Sequence, residues 1–374
     1  MGILALTWKH LIMYLIGSGL IYLAIKKKYE PSLLLPLGFG TIMVNIPFSG
    51  VLNQTISGVG VVTGAIEWLY NVGIGTSEIM PLLLFIGIGA MLDFTPLLSN
   101  PKMFTFGFIA QFGIVFAIIV AVLLGFNLAD AASIGIIGAA DGPTAILVSQ
   151  IFKSNYIGPI TVAAYSYMAL VPILLPAAIK LTTTKKERQI QMKQSTKEIS
   201  RTTKILFPII VTFISGLIAP MSVALIGFLM FGNLLRECKV LDSLSETAQK
   251  VLTNLITLVL GLTVSFHMTA EAFINVETII IITLGLIAFV VDAMAGVLSA
   301  KFINLFTKNK INPMIGAAGI SAFPMASRVV QKLGQKEDNQ NFLLMQAAGA
   351  NVAGQIASVI AGGLILNIIP MLMK

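Results

Sequence analysis

The stretch that most constrains the fold of this chain is residues 130–150, DAASIGIIGAADGPTAILVSQ. Its apolar flanks are long enough to enter a bilayer, but Gly138, Gly142 and Pro143 interrupt any helix that runs through it. The carboxylate of Asp141 lies at that interruption. An unpaired charge in hydrocarbon is costly, and non-helical backbone is tolerated there only when it is buried in protein or lines a cavity. The pattern therefore predicts an ion site on a broken helix, where freed carbonyl groups and helix ends can bind a cation.

An exposed loop is the alternative for this stretch, with Gly-Pro ending one helix and Asp141 capping the next. Apolar sequence continues on both sides of the break, from Ile134 to Ile137 and from Ala145 to Val148. An exposed loop gives no reason for these apolar residues, so we expect the break to lie inside the membrane.

The composition assigns the whole chain to the membrane. Of its 374 residues 56% are hydrophobic and 11% are charged, which is about half the charge of a soluble domain. At about 20 residues per span, the length allows about ten helices and leaves no room for a large soluble domain. The net charge of +8 falls mostly in connecting segments, so we interpret it as membrane topology and expect no nucleic acid as a partner. The single cysteine, Cys238, excludes a disulfide within the chain and a thiolate metal cluster.

Residues 182–204 form the only long hydrophilic segment, TTTKKERQIQMKQSTKEISRTTK. The excess of Lys and Arg over acids predicts that this loop is cytoplasmic. A solvated loop that orients the membrane helices explains it, and docking of an acidic partner is the alternative. The loop divides the chain into a first membrane half, 1–181, and a second, 205–374.

The two halves resemble each other at the broken stretch. The segment IIGAADGPTAI at 136–146 has a counterpart in MIGAAGISAFPM at 314–325, and GIGAMLD at 87–93 aligns loosely with GLTVSFH at 261–267. If each half holds five crossings, the repeats have opposite orientation and their broken helices meet near the midplane. The sequence therefore predicts an all-α polytopic membrane protein of about ten transmembrane helices, in two inverted repeats with two broken helices.

The second broken segment adds further candidate ligands, Asn312, Gly316 and Ser321. Amide, carbonyl and hydroxyl oxygens, with carboxylate and phenol, suit a sodium-like ion better than a transition metal. Asn351 lies in a Gly/Ala-rich helix, where its amide either ligates an ion or bonds to a neighbouring helix. Arg328 either pairs with a carboxylate, binds an anionic substrate or extends its charged end to the membrane surface.

Three more ionisable residues lie in apolar surroundings. Asp93, in GIGAMLDFTPLL, either helps to carry ions or caps a helix. Tyr167, in YSYMALVP, follows Asp141 on the next span, so its hydroxyl either approaches that carboxylate or anchors the helix at the membrane interface. Asp292 fits a second proton or ion relay, but the pattern assigns it no role.

Four motifs occur in one order along the chain, GAADGPTAI, YSYMALVP, NPMIGAAGISAFPMASRVV and NFLLMQAAGANVAGQIAS. Together they resemble the beta subunit of the sodium-pumping, biotin-dependent decarboxylases, the family of the oxaloacetate, methylmalonyl-CoA, glutaconyl-CoA and malonate decarboxylases. The resemblance extends over nearly the whole chain. It implies a multi-pass protein of the bacterial or archaeal cytoplasmic membrane, with an elevator-type core plus scaffold and a beta-subunit trimer.

The resemblance also implies a reaction and its participants. A carboxyltransferase alpha subunit moves carboxylate to biotin on a carrier protein, and the beta subunit decarboxylates that carboxybiotin. The reaction drives Na+ outward and consumes a proton. The implied cofactors are Na+ and carboxybiotin, and the implied partners are the biotin carrier protein, the alpha subunit and a small membrane gamma or delta subunit.

Matching of the motifs carries the family's site residues onto this chain. The implied sodium ligands are Asp141, Tyr167, Asn312, Gly316, Ser321 and Asn351. Arg328 matches an arginine near the cytoplasmic cavity, where carboxybiotin docks, and Asp93 matches the acidic residue of an earlier helix. Asp141, Tyr167 and Ser321 would act as ligands in one state and pass protons in another.

A transporter without chemistry is the alternative function, either a sodium-coupled secondary transporter or a sodium/proton antiporter of the same fold. A purely structural membrane subunit is disfavoured, because it gives no reason for ionisable groups within broken helices.

Overall fold

Helices make up most of the described chain. The computed structural model describes residues 2–28, 31–75, 79–192 and 198–373. The first ten helices are α1 Trp8–Lys27, α2 Pro31–Val44, α3 Ala65–Tyr70, α4 Ile79–Met91, α5 Thr95–Ser99, α6 Met103–Ile109, α7 Phe112–Leu123, α8 Leu128–Gly135, α9 Gly142–Ile151 and α10 Ile157–Thr182. The others are α11 Lys185–Arg188, α12 Arg201–Ile218, α13 Val223–Glu237, α14 Asp242–Glu246, α15 Thr253–Val264, α16 Ala270–Phe273, α17 Val276–Phe306, α18 Met314–Ala317, α19 Met325–Glu337 and α20 Leu344–Leu372. Strands β1 Gln54–Ile56 and β2 Gly60–Val62 form a short antiparallel pair.

The helices confirm the predicted class, an all-α polytopic membrane protein. Among the described residues six helical segments are long and apolar enough to cross a membrane, and two bent pairs raise the number to eight. Shorter apolar helices such as α2, with 14 residues, add to these. The count of ten stays a prediction.

The first predicted broken helix is a re-entrant hairpin, made of α8, a 3-10 turn at Ile136–Ala139, and α9. Its two ends are adjacent, because Asp130 Oδ1 accepts hydrogen bonds from Ser154 Oγ at 2.6 Å and from the Asn155 amide at 3.2 Å. At 1.5 Å per residue, the descending arm 128–139 is roughly 18 Å long, little more than half of a bilayer core. We call residues 128–155 hairpin 1.

The second broken segment has the same form. The side-chain amides of Asn312 and Asn341 both donate to the carbonyl oxygen of Arg188, at 2.9 and 3.0 Å. The two ends of the segment are therefore adjacent, and α18 and α19 form its arms. We call residues 312–341 hairpin 2.

Helix α17 shows that the hairpins enter from opposite faces. Near its C-terminal end, Lys301 Nζ donates to the Thr182 carbonyl at 3.1 Å, close to the ends of hairpin 2. At its N-terminal end, Glu277 lies within electrostatic range of Tyr156, which directly follows hairpin 1. The helix has 31 residues, or roughly 46 Å, between these two regions. We name the side with residues 183–192 the basic-loop face and the other the opposite face.

Helix contacts in the two halves correspond. Helix α6 packs on α20 and α10 packs on α17, while α4 packs on α13 and α2 packs on α15. Pairs α1–α2 and α12–α13 are also equivalent. Such exchange of partners is what two copies of one unit around a pseudo-two-fold axis produce. The inverted orientation and the core-plus-scaffold division stay predictions.

Close helix crossings depend on glycine. Helices α4 and α13 approach so closely that a Cβ atom at Gly232 would overlap the carbonyl oxygen of Ile86, and one at Gly89 would overlap that of Leu229. Small residues at such crossings let membrane helices pack backbone to backbone, which is a main source of their association.

We expect Gly232→Ala to destabilise the protein by about 1–3 kcal/mol, because the backbones must separate to admit the methyl group. The measurement is thermal unfolding of the purified chain in detergent. Gly19→Ala is the matched control, since Gly19 is helical and has no atom near its Cβ position. Equal melting temperatures for the two variants would contradict the packing argument.

Candidate functional site between the hairpin tips

The tips of the two hairpins meet inside the protein. The Ser321 amide of hairpin 2 donates to the Ala139 carbonyl of hairpin 1 at 3.2 Å. Ala140 then adopts a left-handed conformation, with φ of 53°, that reverses the chain before α9. A residue with a β-carbon seldom adopts this conformation, and such exceptions concentrate at functional sites. The reversal places Asp141 at the N-cap of α9.

Asp141 is buried and held by neutral donors. Its Oδ2 atom accepts a hydrogen bond from Ser358 Oγ at 2.6 Å and a longer one from Gln355 Nε2 at 3.4 Å. Its Oδ1 atom accepts from the Thr144 amide at 3.3 Å. None of the ion pairs found in the described residues involves this carboxylate. An ionised Asp141 would therefore need a cation as its counter-charge.

A small cavity of about 50 Å³ adjoins Asp141. One water needs about 10–15 Å³ of such space, so the cavity has room for a small cation or a few waters. Both hairpin tips, α4, α10 and α20 contribute to its wall, through Ile88, Met91, Ala140, Asp141, Gly142, Pro143, Met168, Ser321, Phe323 and Gln355.

Three buried oxygens around the tips have no hydrogen-bond partner in the described chain: Asn351 Oδ1, Thr144 Oγ1 and the Tyr165 hydroxyl. The amide nitrogen of Asn351 donates to the Ile320 carbonyl at 2.7 Å, which fixes that side chain beside hairpin 2. The Tyr165 ring packs on Gly142, where a Cβ atom would fall 2.5 Å from Cζ. A buried oxygen without a hydrogen-bond partner lowers the stability of the fold, so each such group needs an explanation. The donor set is of the hard, oxygen-only kind that fits Na+.

The structure brings together Asp141, Ser321 and Asn351 from the predicted set. Ser321 Oγ donates to the Gly354 carbonyl at 3.2 Å, so this residue joins hairpin 2 to α20 as well as to hairpin 1. Sequence reasoning missed Gln355 and Ser358. The spacing in the sequence could have indicated them, because Asn351, Gln355 and Ser358 stand at positions i, i+4 and i+7 and share one face of α20.

Tyr167 and Gly316 lie against α17 in this conformation. The Tyr167 hydroxyl donates to the Ile282 carbonyl, and Tyr165 is the tyrosine beside the Asp141 turn. Gly316 packs backbone to backbone on Gly296, where neither residue has room for a Cβ atom. Their assignment to a sodium site stays a prediction.

Asn312 and Arg328 lie away from the tips. Besides Arg188, the Asn312 side-chain amide binds the Ile190 carbonyl at 2.7 Å, so it fastens residues 183–192 to the base of hairpin 2. Arg328 is exposed on α19, one turn after the Pro324 carbonyl that its amide contacts. Neither arrangement tests a role in ion or carboxybiotin binding, and both assignments stay predictions.

Asp93 precedes the N-cap residue of α5, Phe94, and its carboxylate binds the first amide of that helix. Its Oδ1 accepts from the Thr95 amide at 2.9 Å, and its half-exposed carboxylate lies 3.7 Å from Arg236 Nη2. Partial burial opposes ionisation of Asp93, but the Thr95 hydrogen bonds and the charges of Arg236 and Lys204 outweigh it and lower the pKa. The choice between ion transport and a structural role for Asp93 stays a prediction.

The docked segment 183–192 is held by charge as well. Arg188 pairs with Glu337 at 2.9 Å, with both side chains almost buried, and Glu187 pairs with Lys301 at 3.0 Å. Burial opposes ionisation of Glu187, but hydrogen bonds from Thr184 and Lys301 outweigh it and hold its pKa below the usual 4.5. The charged form of Glu187 therefore stabilises the docked segment 183–192. This stabilisation is lost as the pH falls through the lowered pKa.

We expect Glu187→Gln to increase amide hydrogen exchange in residues 183–192 at neutral pH, because the ion pair with Lys301 is lost. Below pH 4.5 the wild type approaches the variant, once intrinsic exchange rates are corrected for pH. Glu246→Gln, which removes an exposed i,i+4 pair with Lys250, is the control and leaves the segment unchanged. Wild-type protection in the Glu187 variant would show that this ion pair does not hold the segment.

Comparison with known proteins places these features in a family. The sequence profile of the Na+-transporting oxaloacetate decarboxylase beta subunit matches residues 9–369. The chain belongs to this family. It is 46% identical to the methylmalonyl-CoA decarboxylase subunit beta of Propionigenium modestum, over 98% of this chain and 96% of that protein.

Other relatives in the beta-subunit family belong to different decarboxylases. The chain is 45% identical to the glutaconyl-CoA decarboxylase subunit beta of Acidaminococcus fermentans, over 98% of this chain and 95% of that protein. It is 42% identical to the oxaloacetate decarboxylase beta chain of Klebsiella pneumoniae, over 98% and 96%. These relatives confirm the resemblance and favour the decarboxylase beta subunit over a transporter without chemistry.

We expect Ser358→Ala to weaken Na+ binding about tenfold, since a hydrogen bond to a charged partner contributes about 1.5 kcal/mol. Isotopic sodium binding to the purified chain measures the change. Ser149→Ala is the matched control, because that buried hydroxyl bonds only to the Ala145 carbonyl of its own helix. An equally large loss of Na+ affinity in Ser149→Ala would show that Ser358 has no specific role in Na+ binding.

Proposed function

We propose that this chain decarboxylates the carboxybiotin of a carrier protein and uses the free energy to move Na+ outward, with consumption of a proton. The observation that supports this most directly is Asp141, buried without a counter-charge where two hairpins from opposite faces meet. A site at such a meeting point is separated from each face by one hairpin. Small movements of the hairpins can then open it to one side at a time.

Alternating access follows from a division into moving and static parts. In this proposal the halves 1–181 and 205–374 are inverted repeats with ten crossings, and the loop 182–204 between them is cytoplasmic. The hairpins with α6, α7, α10, α17 and α20 form an elevator-type core, and the remaining long helices form the scaffold. The basic-loop face is then the side on which Na+ enters.

The residues at the tips handle the ion and the proton. Asp141 binds Na+, while Ser358 and Gln355 hold its carboxylate in position. Ser321, Asn351 and Tyr167 complete the proposed set with the backbone near Gly316, and Asn312 secures the base of hairpin 2. When the cation leaves, the buried Asp141 carboxylate takes up a proton, because an unpaired charge is costly there. Carboxybiotin supplies the carbon–nitrogen bond whose cleavage releases the free energy.

A groove on the basic-loop face has the charge to bind an anionic ligand. It encloses about 940 Å³, and the charged side chains lining it, Lys102, Lys308 and Lys310, are all basic in the described residues. Its wall includes Phe106, whose carbonyl packs against Gly319 near the tip of hairpin 2. We place the carrier protein here, with Arg328 receiving the carboxyl group.

The remaining proposed partners are those that the family resemblance implies. They are a carboxyltransferase alpha subunit, which selects the organic acid, and a small membrane gamma or delta subunit, with three copies of this chain in the complex. Asp93 has no role in this scheme beyond its hydrogen bond to the Thr95 amide.

The deciding experiment is sodium-dependent decarboxylation of free carboxybiotin by the purified chain in proteoliposomes. We expect decarboxylation that requires and transports Na+, and at least a hundredfold loss, roughly the smallest effect of a lost proton-transfer group, in Asp141→Asn. Glu271→Gln removes an exposed carboxylate and serves as the matched control. If the chain folds and binds sodium but shows no decarboxylation even with the carrier protein present, this proposal is wrong. Secondary transport would then be the function to test.

A further inference from the structure

Asp292 is a second buried carboxylate in the core, distant in sequence from the site at the tips. It is fully buried on α17. One turn before it, Ala288 packs on Gly138 of hairpin 1, and one turn after it, Gly296 packs on Gly316 of hairpin 2. Asp292 therefore lies between the points at which α17 contacts the two hairpins.

The carboxylate of Asp292 faces an interruption in a membrane span. Helices α6 and α7 are separated at Ala110 and Gln111, and the first amides of α7 lack partners within their own helix. Asp292 Oδ1 accepts a hydrogen bond from one of these, the Gly113 amide, at 2.5 Å. Its other oxygen, Oδ2, is buried and has no partner among the described residues.

Among the described elements packed on α17, no positive charge lies against Asp292. Of the elements packed on α17, α6, α7, α18 and the turn 136–139 carry no ionisable side chain. Helix α8 brings only Asp130, which bonds to Ser154 at the opposite face, and α10 brings Tyr165 on Gly142, Tyr167 bonded to Ile282, and Lys180. Lys180 lies in the last turn of α10, towards the basic-loop face.

A proton suits this site better than a metal ion. Sodium-like cations require several oxygen ligands, whereas Oδ2 has no hydrogen-bond partner among the described residues. An ionised carboxylate in such surroundings carries the full cost of an unpaired charge in hydrocarbon. A proton on Oδ2 removes that cost without any further ligand.

We propose that Asp292 is a proton-binding site of the core, protonated in this conformation and ionised when the hairpins shift on α17 and admit water. The Gly113 amide and the N-terminal end of α7 then stabilise the carboxylate, since that end of a helix favours a negative charge. The two hairpin contacts, one turn on either side, make the hydration of Asp292 depend on hairpin position. Binding of Na+ at the tips and protonation of Asp292 are thereby linked.

Infrared difference spectroscopy on the purified chain tests this without any decarboxylation assay. We expect carbonyl bands of protonated carboxylic acids at neutral pH, a decrease of these bands on Na+ addition, and loss of the Asp292 part of this decrease in Asp292→Asn, while the Asp141 part remains. Glu277→Gln, an exposed carboxylate on the same helix, keeps the wild-type signal. Asp141→Asn removes the Na+ response, but a pH-induced difference spectrum of this variant still shows the Asp292 band and so separates the two buried acids.

Two results would overturn the proposal. A protonated-acid band that is unchanged in Asp292→Asn would show that this residue is ionised. A band that disappears in Asp292→Asn but never responds to Na+ in the wild type would make Asp292 a permanently neutral structural acid.

A second variant keeps the test valid if Asp292→Asn does not fold. In Gly113→Ala the new Cβ atom would fall 2.6 Å from Asp292 Oδ1, so the carboxyl group must move and its band must shift in frequency. An unshifted band would exclude Asp292 as its source. In folded Asp292→Asn, we also expect the pH dependence of Na+ affinity to weaken by up to about tenfold per pH unit, the effect of one coupled proton.

Discussion

Hydrocarbon offers no hydrogen bonds to backbone, and this constraint shapes the centre of the protein. Where hairpin 1 leaves its helix, the Ala139 carbonyl would be unsatisfied without the Ser321 amide of hairpin 2. The amide at one tip therefore satisfies the carbonyl at the other, and neither half of the chain can form this central contact alone. The same arrangement brings Asp141 of one half beside α20 of the other, so satisfying the backbone also assembles the candidate ion site.

Much of this could be predicted from local sequence. Gly138, Gly142 and Pro143 marked the break in hairpin 1, and the repeated Gly-Ala-Ala marked its partner in hairpin 2. The family resemblance implied a shared site for Asp141, Ser321 and Asn351, and the structure places these three side chains near the hairpin tips. These predictions depend on residue type and on strong constraints inside a membrane, and both can be deduced from a single chain.

Other features depend on distances that sequence does not contain. That the broken segments are re-entrant follows from the bond between Asp130 and Ser154 and from the shared contact of Asn312 and Asn341 with Arg188. The amide of Asn312 suits an ion as well as a carbonyl group, so its type alone could not indicate that it binds the docked segment. For the same reason, pattern alone could not place Tyr165, rather than Tyr167, beside the Asp141 turn.

The docked segment 183–192 has a mechanical consequence. Because Asn312, Asn341 and Glu337 attach it to hairpin 2, the attached part of the connection between the halves extends to Met192. From there to the start of α12 at Arg201 the chain can span at most roughly 30 Å when fully extended. The length of the chain between Met192 and Arg201 therefore sets an upper limit on how far hairpin 2 can move from the first turn of α12.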